Sequence, residues 1–190
     1  MLISSNAVLL LIDVQRAFDH PRYGRRNNPQ AEANIARLLE TWRRTGRTVI
    51  HIHHIGVSPD SLFREYSEAV LPKQQALPLP DELVLRKSVN SGFIGTDLEE
   101  RLRRLGCDCV VTAGLTTNHC VETTTRMSGN LGFPTILVSD AAATFDRIGP
   151  DGKLYTAEDI HAMTLANLHE EFAVIADTAA VIQAANVTGI

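Results

Sequence analysis

The sequence predicts a three-layer α/β/α fold built on a six-stranded, mostly parallel β-sheet. Segments with strand character alternate with segments of helical periodicity along the 190 residues. This alternation is typical of a parallel sheet with right-handed crossovers and helices on both faces. A glycine also separates a predicted helix from the next strand three times, at Gly46, Gly106 and Gly132, as expected where a helix ends in a left-handed residue.

Three strands are predicted in the first half of the chain. Residues 7–12 read AVLLLI, a continuous apolar run typical of a strand buried on both faces. Residues 48–55 are β-branched and apolar with histidines between them, and residues 83–85 form a short third strand. A helix is predicted over residues 30–45, because apolar residues recur there at i, i+3, i+4 and i+7. These residues are Ile35, Leu38, Leu39 and Trp42.

The second half of the chain continues the alternation. Three further strands are predicted over residues 109–113, 135–139 and 172–176, with a helix from about residue 118 to residue 131 between the first two. Thr96 with Glu99 forms a capping-box pattern at the start of another helix. Thr156 with Asp159 predicts the next helix N-terminus, and Asp177 is the expected cap of a last short helix.

A long connection without predicted regular structure runs from residue 56 to residue 82. Unstructured connections longer than ~12 to 15 residues are uncommon in compact domains. Such loops often form lids, pocket walls or subunit contacts. This segment also contains several prolines, namely Pro59, Pro72, Pro78 and Pro80.

Length and composition limit the class of protein. A chain of 190 residues with 44% hydrophobic and 21% charged residues is expected to form one globular domain spanning residues 1–190. Its net charge of −4 argues against a nucleic-acid partner. The longest apolar run is far shorter than the ~20 residues of a membrane span, and no secretory leader is recognisable. We therefore expect a cytoplasmic protein, in which three cysteines do not suggest a disulfide framework.

Three chemically useful side chains follow predicted strands at the edge where ligands bind in open α/β sheets. They are Asp13, Lys87 and Cys120. Cys120 is expected in the first turn of a helix, where free N–H groups favour a thiolate. Asp13 would accept the thiol proton, and Lys87 would lower the thiol pKa and hold the carboxylate. Singly, a buried Cys, a capping Asp and a solvated Lys are ordinary; together they predict a nucleophilic site.

The sequence segments around these residues resemble a known superfamily. LLLIDVQ contains Asp13, RKSVNSGFIGTDL contains Lys87 and VTAGLTTNHCVETT contains Cys120. In order and spacing they are similar to the three blocks of the isochorismatase-like cysteine hydrolases, which include nicotinamidases and N-carbamoylsarcosine amidohydrolases. The tail segments SDAAATFDR and EDIHAMTLANLHEEFA extend the resemblance to about residue 181. The resemblance implies a Rossmann-like, isochorismatase-like hydrolase fold with these three residues as catalytic triad.

The resemblance also implies a reaction. A cysteine hydrolase of this type cleaves a C–N bond of a small amide, ureido or carbamoyl compound through a Cys120 thioester and releases ammonia or an amine. The family's cis peptide falls between Leu115 and Thr116, and the oxyanion hole falls on the backbone N–H groups of Thr116 and Cys120. Alternatives are an isochorismate-like enol-ether hydrolase with Asp13 as general acid, a non-catalytic homologue, or a redox sensor that pairs Cys120 with another cysteine.

The remaining polar and aromatic residues near these segments suggest substrate contacts. The expected contacts are Phe18, His54, Asn90, Phe93, Asn118 and His119. Ordinary packing is an equal alternative for the two phenylalanines. The arginines of the run HPRYGRRNN, which are Arg22, Arg25 and Arg26, offer a carboxylate clamp or solvated loop charge.

No metal and no cofactor are expected. The segment VIHIHHIG contains His51, His53 and His54 but lacks the Asp-x-His pair of the metal-binding nicotinamidases. His51 is expected to pack in the sheet, with His53 or His54 at the edge of the pocket. The expected partner is a small-molecule substrate. A homo-oligomer, dimer or tetramer, is expected because relatives commonly form one.

Overall fold

The computed structural model describes residues 3–187, and its main feature is a six-stranded parallel sheet. The strands in chain order are β1 (Val8–Ile12), β2 (Val49–His54), β3 (Leu83–Lys87), β4 (Val110–Leu115), β5 (Thr135–Ala143), β6 (Arg147–Ile148), β7 (Leu154–Tyr155) and β8 (Val174–Ala176). The sheet order is β3-β2-β1-β4-β5-β8, with every neighbouring pair parallel. The predicted α/β/α class and six-stranded sheet are confirmed.

Helices cover both faces of the sheet. They are α1 (Ala31–Arg44), α2 (Leu98–Arg104), α3 (Glu122–Asn130), α4 (Ala157–Leu168) and α5 (Thr178–Asn186). The apolar stripe of α1 packs with α5 over Leu9 and Leu11, and α2 and α4 pack over Leu10 and Ile12 on the opposite face. Because successive side chains of β1 point to opposite faces, its continuous apolar run fills both layers. Among residues 3–187, no helix has both the length and the apolar character needed to cross a membrane.

Three predicted strands extend further toward their carboxyl ends in the structure than in the sequence pattern. β4, predicted to end at residue 113, continues to Leu115. β3 continues to Lys87, so this lysine ends the strand instead of following it. β5 continues past its predicted end at Ser139, through Asp140, to Ala143. Asp140 is half-buried because its carboxylate caps α5, accepting from the N–H and hydroxyl of Thr178 at 2.7 Å each. The charged Asp140 interrupts the apolar pattern, and its bonds to Thr178 are not visible in the sequence, so the strand was predicted to end at residue 139.

The short antiparallel pair β6–β7 was not predicted. Each of its strands has two residues, which is too short to show a periodicity. The helix predicted to start near Thr96 is present, and the Thr96 hydroxyl accepts from the Leu98 N–H at 3.4 Å, but the predicted box between Thr96 and Glu99 does not form. The Thr96 hydroxyl donates to the Gly92 carbonyl at 2.6 Å, and Glu99 pairs with Arg103 at 2.8 Å. The helix begins at Leu98.

The other helix-end signals are confirmed. The Thr156 hydroxyl accepts from the Asp159 N–H at 3.1 Å, and the Asp177 carboxylate accepts from the Ala180 N–H at 2.7 Å. The three glycines after helices have φ angles of 68°, 62° and 85°, in chain order. These values lie in the left-handed region that glycine adopts without steric cost.

Gly114 allows β1 and β4 to approach each other near the carboxyl edge of the sheet. Its φ is +134°, and a Cβ atom at this position would lie 2.0 Å from the Ile12 carbonyl oxygen. Asp13 follows Ile12 directly, so this contact sets the spacing between the chain segments that leave β1 and β4. A larger residue at position 114 would separate these two segments.

The long connection of residues 56–82 packs against the body of the domain. Two short 3-10 turns interrupt it, Glu68–Val70 and Gln74–Ala76. Between them, the buried Lys73 ammonium lies 2.5 Å from Asp19 and 2.8 Å from Glu32. The segment is therefore held against the part of the chain that follows β1.

Candidate active site

The three predicted residues Asp13, Lys87 and Cys120 meet at the carboxyl edge of the sheet. Asp13 follows β1, Lys87 ends β3, and Cys120 lies in a π-type turn, Thr117–Val121, directly before α3. Lys87 Nζ donates to Asp13 Oδ2 at 2.7 Å, and both side chains are at most 1% exposed. The Cys120 Sγ, an Asp13 carboxylate oxygen and a His54 ring nitrogen all lie within 4.8 Å of one another.

The backbone and a buried glutamine position this group. Asp13 has a φ of 51°, a left-handed conformation that Asp and Asn adopt more readily than other non-glycine residues. Gln15 is fully buried; its Oε1 accepts from the His54 N–H at 2.8 Å, and its Nε2 donates to the His54 carbonyl at 3.0 Å and the Val70 carbonyl at 2.7 Å. Gln15 thereby fixes His54 beside Lys87. It lies within the motif LLLIDVQ but was not predicted as a site residue.

Burial controls the ionisation of Asp13. Removal from water raises the pKa of this carboxyl above its usual value, and the neighbouring Lys87 charge is the largest opposing effect. Asp13 Oδ1 is buried, and within residues 3–187 it accepts no hydrogen bond. This oxygen is therefore the acceptor left for a thiol proton, while Oδ2 is held by Lys87.

The Cys120 thiol is not the preformed thiolate that its position before a helix suggested. Burial raises its pKa to about 12, the Asp13 charge acts in the same direction, and the Lys87 charge lowers it. Burial and the neighbouring carboxylate both oppose the effect expected of the helix N-terminus. At neutral pH the cysteine is a neutral thiol, so any reaction through its sulfur would need a proton acceptor nearby.

Alkylation of Cys120 is expected to be slow at neutral pH and to accelerate continuously with alkali. At pH 8, iodoacetamide should modify Cys120 roughly 10²-fold more slowly than an ordinary cysteine, since a smaller thiolate fraction outweighs the higher nucleophilicity of each thiolate. Peptide mass spectrometry should locate the label, because Cys107 and Cys109 are half-buried thiols. Cys120→Ala is the control, and a rate that levels off below pH 8 would contradict the raised pKa.

A pocket of about 460 Å³ opens above the thiol. Four aromatic rings form much of its wall: Phe18, Tyr23, Phe63 and Phe145. Ring centroids of the pairs Phe18–Phe63 and Tyr23–Phe145 are each 5.0 Å apart. Only Phe18 was predicted, because the other three belong to separate connections in which no periodicity indicates a shared wall.

The pocket contains four of the six predicted substrate contacts, which are Phe18, His54, Asn90 and His119. Asn90 Nδ2 lies 3.8 Å from Cys120 Sγ. Phe93 instead packs in the core, with its ring centroid 6.4 Å from that of Phe133, so the packing alternative describes it. Asn118 also lies outside the pocket wall; its Oδ1 accepts from the Thr144 hydroxyl at 2.5 Å.

The turn before Cys120 has the backbone geometry that the resemblance implied. The peptide bond between Leu115 and Thr116 is cis, and Thr116 lines the pocket beside the thiol. The Thr116 carbonyl accepts from the N–H groups of His119 and Val121 at 3.1 and 3.3 Å. The role of the Thr116 and Cys120 N–H groups as an oxyanion hole remains a prediction.

The three histidines of β2 face different partners. His51 Nε2 lies 2.9 Å from a Glu82 carboxylate oxygen in the buried sheet, and Glu82 also pairs with Arg43 at 2.8 Å. His54 lines the pocket, whereas His53 does not. Asp13, His54 and Cys120 offer the donor atoms of a metal site. However, the Lys87 ammonium already lies beside two of these donors, 2.7 Å from Asp13 Oδ2 and 3.4 Å from His54 Nδ1.

The arginines of the 22–26 segment divide between two roles. Arg25 pairs with Asp146 at 2.9 Å and with Glu158 at 2.5 Å, and Arg26 pairs with Glu32 at 2.7 Å. Arg22 lines the pocket. A second arginine of the pocket, Arg147, lies on the short strand β6 and was missed with that strand.

A family model described as the isochorismatase domain matches residues 7–180. The chain belongs to the isochorismatase family. The uncharacterized isochorismatase family protein YrdC of Bacillus subtilis is 50% identical over 170 residues, which cover 90% of this chain and 91% of that protein. Nicotinamidase 3 of Arabidopsis thaliana is 30% identical over 188 residues, which cover 92% of this chain and 86% of that enzyme.

Solved structures give the same assignment. A crystal structure of an isochorismatase-family protein from Chromobacterium violaceum superposes with a TM-score of 0.96 at 42% identity, covering 99% of this chain and 98% of that chain. The predicted family and fold are therefore confirmed. Members of the isochorismatase family are hydrolases, among them amidohydrolases.

Proposed function

We propose that this isochorismatase-family protein hydrolyses a C–N bond of a small amide, ureido or carbamoyl compound through a thioester on Cys120. The supporting observation is the buried Asp13–Lys87 pair beside the Cys120 thiol at the floor of the pocket. A buried charge pair is costly to desolvate. At this position it provides a fixed proton acceptor for a nucleophile that is neutral at rest.

The acylation half-reaction moves one proton twice. Asp13 Oδ1 accepts the thiol proton as Sγ bonds to the substrate carbonyl carbon, and the carbonyl electron pair moves onto its oxygen. The Thr116 and Cys120 N–H groups stabilise this oxyanion. When the C–N bond breaks, Asp13 returns the proton to the departing nitrogen. Ammonia or an amine leaves, and the acyl group remains on Cys120 as a thioester.

The deacylation half-reaction uses the same base. Asp13 accepts a proton from water as the water oxygen attacks the thioester carbonyl, and the oxyanion forms again at the same place. The C–S bond then breaks, and the thiolate recovers the proton from Asp13 as the carboxylic acid leaves. Lys87 keeps one carboxylate oxygen fixed through both steps, so the other oxygen remains directed at the sulfur.

The enol-ether alternative has one observation in its favour. Burial raises the pKa of Asp13, as suits a general acid that protonates a vinyl ether. In that reaction Cys120 would take no part. Similarity over most of a nicotinamidase favours the amide reaction instead, and the Cys120 variant separates the two.

The redox alternative is disfavoured by topology. Cys107 and Cys109 precede β4, whereas Cys120 follows it. A six-residue strand separates its ends by about 17 to 20 Å. A disulfide needs Cα atoms less than about 7 Å apart, so neither cysteine reaches Cys120 without unfolding the sheet.

Intact-protein mass spectrometry tests the thioester. The protein should be incubated with nicotinamide, ureido acids and carbamoyl amino acids and quenched in acid, with ammonia release followed in parallel. A mass increase equal to the acyl group is expected in the wild type and in the matched control Cys109→Ala, but not in Cys120→Ala. Activity that survives in Cys120→Ala would eliminate the thioester route and favour the enol-ether reaction.

A further inference from the structure

The acidic side chains of the pocket are both neutralised by partners. Asp13 is paired with Lys87. Asp146 accepts from Arg25 Nε at 3.0 Å, from Arg25 Nη2 at 2.9 Å and from the Ala157 N–H at 2.8 Å. The Arg25 hydrogen bonds, followed by the Ala157 N–H, hold the pKa of Asp146 below its usual range. Neither carboxylate is left to attract a cationic substrate.

Two arginines of the pocket, by contrast, have no acidic partner among the residues that the structure describes. Arg22 and Arg147 are exposed at its rim. Within residues 3–187, neither guanidinium lies at ion-pair distance from a carboxylate. After the internal pairs are subtracted, the unpaired charges at the rim are therefore positive.

A neutral histidine orients Arg147. Burial lowers the pKa of His119, and the Arg147 charge lowers it further, so the ring is uncharged at neutral pH. Arg147 Nη1 lies 3.3 Å from His119 Nε2, which must accept. The ring hydrogen is then on Nδ1, where it donates to the Thr116 hydroxyl at 2.8 Å. One arm of the guanidinium is fixed toward the nucleophile turn, and its other N–H groups remain for a ligand.

The aromatic wall defines the rest of the ligand. The rings of Phe18, Tyr23, Phe63 and Phe145 suit a planar or apolar body. Aromatic rings also attract cations. However, Arg22 already lies over the Tyr23 ring, with its Cζ atom 5.3 Å from the ring centroid, which disfavours a second positive charge there.

We propose that the pocket selects an amide whose planar, apolar body also bears a carboxylate, bound by Arg147 and Arg22. The inference rests on the proposed amide hydrolysis and names its substrate class. A guanidinium binds a carboxylate through paired, charge-assisted hydrogen bonds. The scissile carbonyl lies over Cys120, while the carboxylate lies at the rim.

The kinetic test compares three compounds that share one aromatic ring and one primary amide but differ in charge. Terephthalamate, its methyl ester and para-aminomethylbenzamide present the same primary amide in anionic, neutral and cationic compounds, and the meta isomers of all three sample a shorter reach. Wild-type kcat/KM, followed by ammonia release, should be at least about tenfold higher for the carboxylate than for the ester, and lowest for the cation. Equal values for all three compounds overturn the inference.

Variants separate the local contact from overall charge. Arg147→Gln should lower the carboxylate-to-ester ratio of kcat/KM severalfold, mainly through KM, and leave the part of the preference that Arg22 supplies, whereas Arg147→Lys should keep more of it. The matched control Arg104→Gln removes an exposed arginine of α2 that pairs with Glu100. It changes the net charge equally and should keep the wild-type ratio. An equal loss of preference in this control overturns the assignment to Arg147.

A binding measurement keeps this inference distinct from the proposed function. Calorimetry on Cys120→Ala should show the carboxylate bound at least about tenfold more tightly than the ester, with the difference reduced in Cys120→Ala/Arg147→Gln and lost when Arg22→Gln is added. Tighter carboxylate binding without ammonia release by the wild type supports the anion site and contradicts amide hydrolysis. Ammonia release with equal binding of all three compounds supports hydrolysis and overturns the anion site. Absence of saturable carboxylate binding also overturns it.

Discussion

Replacing Asp13 by Asn is expected to lower kcat/KM for amide hydrolysis by about 10³ to 10⁴-fold, the upper part of the range for loss of a general base. Asn keeps the side-chain shape and tolerates the φ of 51° at this position. It cannot accept the thiol proton or return it to the leaving nitrogen. Both half-reactions should therefore slow together, without a burst of ammonia release.

The same variant should make the thiol more acidic. The Asp13 charge raises the pKa of Cys120 and the Lys87 charge lowers it, so removal of the carboxylate charge leaves the lysine effect unopposed. The pH profile of iodoacetamide labelling should shift to lower pH even though hydrolysis is lost. Asp60→Asn, on the exposed loop, is the matched control and should change neither property. Slower labelling in Asp13→Asn would show that Asp13 promotes the thiolate in the resting protein.

The sheet was predictable because its signals are local. A continuous apolar run such as that of β1 has few alternatives to a doubly buried strand, and the glycines after the helices mark the crossovers. The errors occur where a tertiary partner overrides the local pattern. Asp140 interrupts the apolar pattern of β5, but its carboxylate accepts hydrogen bonds from Thr178 at the start of α5, and the strand continues to Ala143.

The triad was predictable in position but not in ionisation. Asp13, Lys87 and Cys120 stand at or after strand ends, and the topology of a parallel sheet brings such positions together. The thiol pKa depends on how completely the sulfur is buried and on its distance from a carboxylate, which the sequence does not specify. The position of Cys120 before a helix alone predicted a lowered thiol pKa, whereas burial raises this pKa.

The pocket wall was the least predictable part. Its unpredicted residues come from three parts of the chain that are far apart in sequence. One part contains Tyr23, a second contains Phe63, and a third contains Phe145 and Arg147. Loop conformations depend on tertiary contacts such as the ion pair between the buried Lys73 and Glu32. The periodicity of the sequence does not indicate such contacts. This is also why the family, which the motifs identify, does not determine the substrate.

Replacing Lys87 by Met should destabilise the protein by about 3 to 5 kcal/mol at pH 8, as expected when one partner of a buried ion pair is removed. Asp13 would be left buried without its counter-charge, so its pKa would rise above the already raised wild-type value. A carboxyl whose pKa is higher in the folded state favours folding when protonated. The loss should therefore be smaller at pH 5 than at pH 8, and urea unfolding at both pH values measures it.

The double variant Asp13→Asn/Lys87→Met tests whether the ion pair itself causes this loss. Both of its side chains are uncharged, so neither leaves an uncompensated buried charge. Its loss of stability should therefore be smaller than the sum of the two single losses by about 2 to 3 kcal/mol. Its stability should also lose the pH dependence of Lys87→Met, while hydrolysis remains absent. Additive losses in the cycle would mean that Lys87 stabilises the sheet edge by packing alone. In that case Lys87 would not be the group that keeps Asp13 ionised beside Cys120.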